Sequence, residues 1–110
     1  MTVLLVALGA AVGAPLRFLV ASRLDDRLRA VALGTLAVNV AGSFVLGALS
    51  GAAVDGAALA LLGTGFCGGL TTYSAFAVQT AERGRWGPAY AAVTVLGSLA
   101  ACALGFWVAR

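Results

Sequence analysis

The sequence predicts an all-α membrane protein, a single domain of four transmembrane helices with a break in the third, and three observations carry that reading. Of the 110 residues, 62% are hydrophobic and 10% charged, with mean hydropathy +1.04, whereas a soluble domain carries roughly 25% charge. The chain divides into apolar stretches of about 20 residues, the length that crosses a hydrocarbon core of about 30 Å. The charged residues gather between those stretches. At this hydropathy, fifteen Gly against two Pro also exclude a solvated, disordered Pro/Gly-rich chain.

The first span is expected over about 2–22, apolar except for Arg17. It opens Met1-Thr2-Val3-Leu4 without a basic n-region or a turn suited to cleavage, so the expectation is a retained helix. Arg23-Leu24-Asp25-Asp26-Arg27-Leu28-Arg29 is the strongly charged run and forms the first loop. The second span, about 30–53, ends at the turn around Asp55-Gly56, and the third follows over about 57–80. Glu82-Arg83-Gly84-Arg85-Trp86-Gly87-Pro88 combines charge, helix breakers and an interfacial Trp, so it separates the third span from a fourth at about 89–109.

Loops this short make neighbouring spans antiparallel. Loops one and three then share one side, with loop two and both termini on the other. The first side carries Arg23, Arg27, Arg29, Arg83 and Arg85 against Arg110 alone. The positive-inside rule turns the richer side to the cytoplasm, so a cell-membrane protein with outside termini is expected.

Gly9 and Gly13, Gly47 and Gly51, and Gly65 and Gly69 are each four apart, the small-xxx-small spacing that lets membrane helices approach closely. Cys67 and Cys102 fall in apolar stretches, where packing explains them better than a disulfide or metal site. Four spans enclose little volume, which points to an oligomer.

Polar residues within the spans fall in two stripes. Thr35, Asn39 and Ser43 recur every four residues in the second span, as do Tyr90, Thr94 and Ser98 in the fourth. Each stripe has two readings, interhelical hydrogen bonding or a polar path. Asp25, Asp26, Asp55 and Glu82 lie at loops or edges, where solvated charge is the simplest role. In the third span, adjacent Gly68-Gly69 followed by Thr71-Thr72-Tyr73 is the composition of an interrupted helix, whose freed carbonyls can coordinate a cation. Tyr73 and Phe76 share a face, and aromatic edges are positive enough to contact an anion.

Three segments carry a family resemblance: Gly13-Ala14-Pro15-Leu16-Arg17-Phe18, then Asn39-Val40-Ala41-Gly42-Ser43-Phe44-Val45-Leu46-Gly47, then Gly65-Phe66-Cys67-Gly68-Gly69-Leu70-Thr71-Thr72-Tyr73-Ser74-Ala75-Phe76. In this order, within four spans, they resemble the CrcB/Fluc fluoride channels over essentially the whole chain. The resemblance implies an antiparallel dimer with two fluoride pores along the subunit interface and a structural sodium ion at its centre. It implies that the Gly68 and Thr71 carbonyls bind that sodium. It further implies that Asn39 is a pore amide, that Tyr73 and Phe76 flank the fluoride path with Ser74 between them, and that Tyr90, Thr94 and Ser98 form a hydroxyl track. Arg17 corresponds to a basic residue placed to attract anions in the vestibule. Tyr73 stands where the family usually has Phe, and Gln79 where it often has Glu; no role is expected for Gln79.

The chemistry is consistent with that assignment. Fluoride is small and strongly hydrated, so a path must replace its water with neutral donors such as Asn, Ser, Thr and Tyr. Conduction needs binding weak enough to release, and the chain contains no Lys and no His. No catalytic constellation and no basic face for nucleic acid is present, so neither an enzyme nor a nucleic-acid partner is expected. The alternative, a small multidrug-type proton-coupled exporter, would require a membrane-embedded carboxylate that residues 2–22 lack. The five-to-one Arg asymmetry adds a further expectation, because a homodimer of opposed subunits must insert both ways. The second subunit is then either another copy or a paired homologous chain. The expected activity is passive fluoride efflux across membrane lipid, which lowers cytoplasmic fluoride and its toxicity.

Overall fold

The computed structural model describes residues 1–25 and 32–110, and every regular element among them is helical. The elements are α1 (Thr2–Leu24), α2 (Leu33–Gly51), α3 (residues 56–70), α4 (Ser74–Glu82) and α5 (Gly87–Ala109). Asp26, Arg27, Arg29 and the expected start of the second span at Ala30 lie outside the described residues. The first helix runs two residues past its expected end, to Leu24, and the last begins two residues early, at Gly87. Pro88 explains the early start, since proline is accommodated in a first helical turn that has no N–H partner to lose.

Among the described residues, Thr2–Leu24, Leu33–Gly51 and the stretch Gly84–Ala109 are long and apolar enough to cross a membrane. The fourth helical stretch is divided between α3 and α4. The longest dimension is 43 Å, close to a bilayer with its headgroup regions. Large apolar side chains such as Val3, Val12, Leu96, Leu99 and Trp107 face outward, and the buried interior is small: Val38, Cys67, Leu70 and Tyr90 among its members. Lipid is the medium that suits such an exterior.

Close crossings hold the helices together, among them Gly34 of α2 against Ala21 of α1. A Cβ on Gly9 would fall on the Leu61 carbonyl oxygen and one on Gly13 on that of Phe66, while Gly69 would meet Ala10 Cα at 2.9 Å. Likewise, Gly47 and Gly51 abut the carbonyls of Cys102 and Phe106, and Gly105 abuts that of Phe44. Thus α1 packs on α3 and α2 on α5 through backbone contact, the form of association open to helices that lipid does not drive together. Both cysteines are free thiols, Cys67 buried and Cys102 half-buried.

The sequence reading contains no hint of one feature of α3. Its central stretch, Leu59–Cys67, is a π-helix between short α-helical turns at Gly56–Ala58 and Gly68–Leu70. Gly63 and Gly65 lie inside it and have no Cβ to resist the wider ladder. The chain then leaves helical geometry at Thr71, which is extended (φ −82°, ψ 161°), and resumes at Ser74. The break expected from composition is therefore present at 71–73.

Candidate functional site

The break is held open by one side chain. Asn39 Nδ2 donates to the Thr72 carbonyl at 3.0 Å, and the Thr72 N–H donates to Asn39 Oδ1 at 2.8 Å. Asn39 is buried on α2, so its amide replaces both hydrogen bonds that the backbone at Thr72 would otherwise make within a helix. Thr72 then starts α4, because its Oγ1 accepts from the Ala75 N–H at 3.2 Å in the manner of an N-cap. Thr71 closes α3 from the other side, donating both its N–H (2.9 Å) and its hydroxyl (2.8 Å) to the Cys67 carbonyl.

These bonds identify which carbonyls are freed. In a continuous helix the Gly68 carbonyl would accept from Thr72 N–H and the Thr71 carbonyl from Ala75 N–H. Both donors are turned elsewhere, to Asn39 and to Thr72 Oγ1. Gly68 and Thr71 are thus the two residues whose carbonyls lose a helical partner to a named side chain. Carbonyl oxygens freed in this way are suitable ligands for a sodium ion.

The two polar stripes differ in how they are used. On α2, Thr35 and Asn39 are both engaged within the chain: Thr35 N–H and Oγ1 donate to the Asp25 carboxylate at 2.8 and 3.0 Å, and Asn39 clamps Thr72. On α5, by contrast, the hydroxyls of Tyr90, Thr94 and Ser98 are buried and meet no partner in full hydrogen-bond geometry among the described residues, Tyr90 and Thr94 having only each other close by. Tyr90 is 0% exposed and Thr94 4%. A polar group left unpaired away from water is costly, so three in register call for a partner from outside the chain.

Aromatic rings lie along the same region. Tyr73 and Phe76 are 6.0 Å apart between centroids at 52°, and Phe76 and Tyr90 5.7 Å apart at 34°. Tyr73 is 80% exposed and forms the outer end of this ladder. An open groove of about 820 Å³ between α2, the α3–α4 break and α5 brings together Asn39, Gly68, Thr71, Tyr73, Phe76, Thr94 and Ser98, with Ser43 also at its wall. Tyr90 stands behind Phe76. Arg17 and Ser74 are elsewhere, in a separate hollow of about 410 Å³ that also includes Asp25, Thr35 and Gln79, with Thr72 bordering both.

Two sequence expectations are corrected at that second hollow. Asp25 is not a merely solvated charge, since it binds Thr35 through two bonds. Gln79 is not idle: its Nε2 reaches Asp25 Oδ2 at 3.4 Å, and its Oε1 accepts from Arg83 Nη1 at 2.6 Å. Arg83 in turn stacks on Tyr90, its guanidinium carbon 5.5 Å from the ring centroid. No local pattern signals this chain of contacts, because it joins Thr35 and Gln79 from two helices to Asp25 and Arg83 at two helix ends. It also places the end of α1, the start of α2 and the end of α4 at one end of the molecule.

Comparison with known proteins adds an independent line. Residues 4–106 match the family model described as CrcB-like protein, Camphor Resistance (CrcB). A relative in Rhodococcus jostii (strain RHA1), fluoride-specific ion channel FluC 2, is 50% identical over 96% of each chain. Fluoride-specific ion channel FluC 1 of Streptomyces avermitilis is 44% identical over 97% of this chain and 94% of its own length. The FluC of Escherichia coli O139:H28 is 39% identical over 96% and 91% respectively.

Proposed function

This chain belongs to the CrcB family, and on that premise we propose that fluoride leaves the cell passively along its Tyr90, Thr94 and Ser98 stripe. The protein is a membrane ion channel for fluoride. The single observation that supports the stripe as the path is its three buried hydroxyls without partners, set beside the Tyr73, Phe76 and Tyr90 rings.

The chemistry follows from those groups. A fluoride ion entering the groove exchanges water for hydroxyl donors, each neutral, so that it is held without being trapped. Phe76 and Tyr73 offer positive ring edges where no hydroxyl is present. Asn39 spends one amide N–H on Thr72 and keeps a second for the path. Hydrogen fluoride enters cells as the neutral acid and dissociates inside. An inside-negative potential then drives the anion out with about 2.3 kcal/mol per charge per 100 mV. No titrating carrier group is needed. Asp25, the carboxylate bordering the second hollow, is engaged by Thr35 at the end of α1, so the exporter alternative gains nothing.

The assembly we propose is an antiparallel pair, in which a second subunit closes the open groove. Sodium at the Gly68 and Thr71 carbonyls would sit where the two breaks meet. The five-to-one Arg distribution favours cytoplasmic first and third loops in the cell membrane, outside termini, and a paired homologous chain as the second subunit over another copy of this one. Arg17, in the hollow beside Ser74, would draw anions toward the vestibule.

Efflux measured with a fluoride electrode from valinomycin-clamped liposomes tests the function. Fluoride release without chloride release is expected, from the chain alone or together with an oppositely oriented homologue. Chloride release at the same rate, or none of either ion in both assemblies, would overturn it.

A further inference from the structure

Arg83 closes one end of the α5 stripe, and its surroundings are unusual for an arginine so near a span. Its Nη1 donates to two neutral acceptors, the side-chain oxygen of Gln79 at 2.6 Å and the Gln79 carbonyl at 3.4 Å. Its guanidinium lies over the Tyr90 ring, and its Nε is buried without a partner among the described residues. The Asp25 carboxylate is one step removed, reached only by the far side of the Gln79 amide at 3.4 Å. Gln79 therefore aims the cation without neutralising it, as a carboxylate in its place would. A buried N–H donor and a full positive charge stand next to Tyr90, the first of three unpartnered hydroxyls.

We infer that Arg83, positioned by Gln79, gathers the anion at the Tyr90 end of the hydroxyl stripe. This rests on the fluoride reading above. A positive charge beside a low-dielectric path raises the local concentration of an incoming anion, and the Arg83 guanidinium lies against the Tyr90 ring that begins the stripe. Gln79 is a positioning residue: its amide oxygen fixes the guanidinium against Tyr90, and its neutrality leaves the field of the cation intact.

The test is the fluoride dependence of flux in the assembly that conducts, alone or with a paired subunit. Arg83→Gln should raise the half-saturating fluoride concentration about tenfold while saturating flux stays near wild type. Arg83→Lys should restore most of the apparent affinity. Gln79→Glu, which leaves Arg83 in place and adds a carboxylate against it, should reproduce the Arg83→Gln defect in a protein of unchanged melting temperature. An unaltered half-saturating concentration in both Arg83→Gln and Gln79→Glu would overturn the inference and leave the channel reading intact. Equal loss in Arg83→Gln and Arg83→Lys, confined to saturating flux, would overturn it in favour of packing. A wild-type chain that passes no fluoride in either assembly would remove the channel reading and this inference with it.

Discussion

Asn39 binds to both backbone groups of Thr72, so its role is structural as well as chemical. A leucine at this position would leave a donor and an acceptor unmatched in a part-buried site at the groove wall. At about 1–3 kcal/mol for each orphaned group, Asn39→Leu should cost about 2–6 kcal/mol and lower the melting temperature in detergent, along with any loss of flux. Unchanged melting would show that Thr72 is not clamped. The sequence made Asn39 legible as a polar residue in the right register, but not which partner it takes. That partner lies 33 residues away, across a helix crossing that local spacing does not encode. Gln79 shows the same limit: its neutral amide is meaningful only once Asp25 and Arg83 are seen on either side of it.

At the scale of elements, the packing rests on a few positions where one backbone touches another. Gly13 faces the Phe66 carbonyl and lies 2.9 Å, at the Cβ it lacks, from Leu70 N. Gly13→Val would press a branched side chain onto main-chain atoms that cannot swing aside. A loss of at least about 3 kcal/mol is expected, seen as early melting or loss of the monodisperse protein. Conversely, a variant at Gly68 should be better tolerated sterically, since a Cβ there would meet only the Gly63 carbonyl, at an ordinary 3.9 Å. The four-apart glycines and the break at 71–73 were readable because each is a local composition. The π-helical stretch Leu59–Cys67 was not, because it depends on how α1 presses against Gly65 and on where the ladder can widen.

For the whole molecule, the contacts among Asp25, Thr35 and Gln79 bring the ends of α1 and α4 and the start of α2 together. The first and third loops thus leave from the same end, so their Arg residues act together in setting orientation. Cysteines introduced at Asp55 in the second loop and at Arg85 in the third should label from opposite faces of the cell membrane, each from one face only: Asp55→Cys from outside and Arg85→Cys from the cytoplasm. Equal labelling of either position from both faces would show dual insertion and remove the case for a paired homologous subunit. All four spans were read from apolar length, and three of them are helices long and apolar enough to cross a membrane, while the groove's open side became visible only when the break, α2 and α5 were placed around it.

The central claim is that the α5 hydroxyls are unpartnered because fluoride, not the fold, uses them. Fluoride efflux from the combined variant Tyr90→Phe, Thr94→Val and Ser98→Ala, measured beside its melting temperature, tests this most directly. Each change removes a hydroxyl and keeps the side-chain shape or nearly so. Groups that meet no full hydrogen-bond partner among the described residues cost little to delete, so stability should be nearly unchanged or raised while fluoride efflux falls by at least about tenfold. Efflux at the wild-type rate would contradict the account.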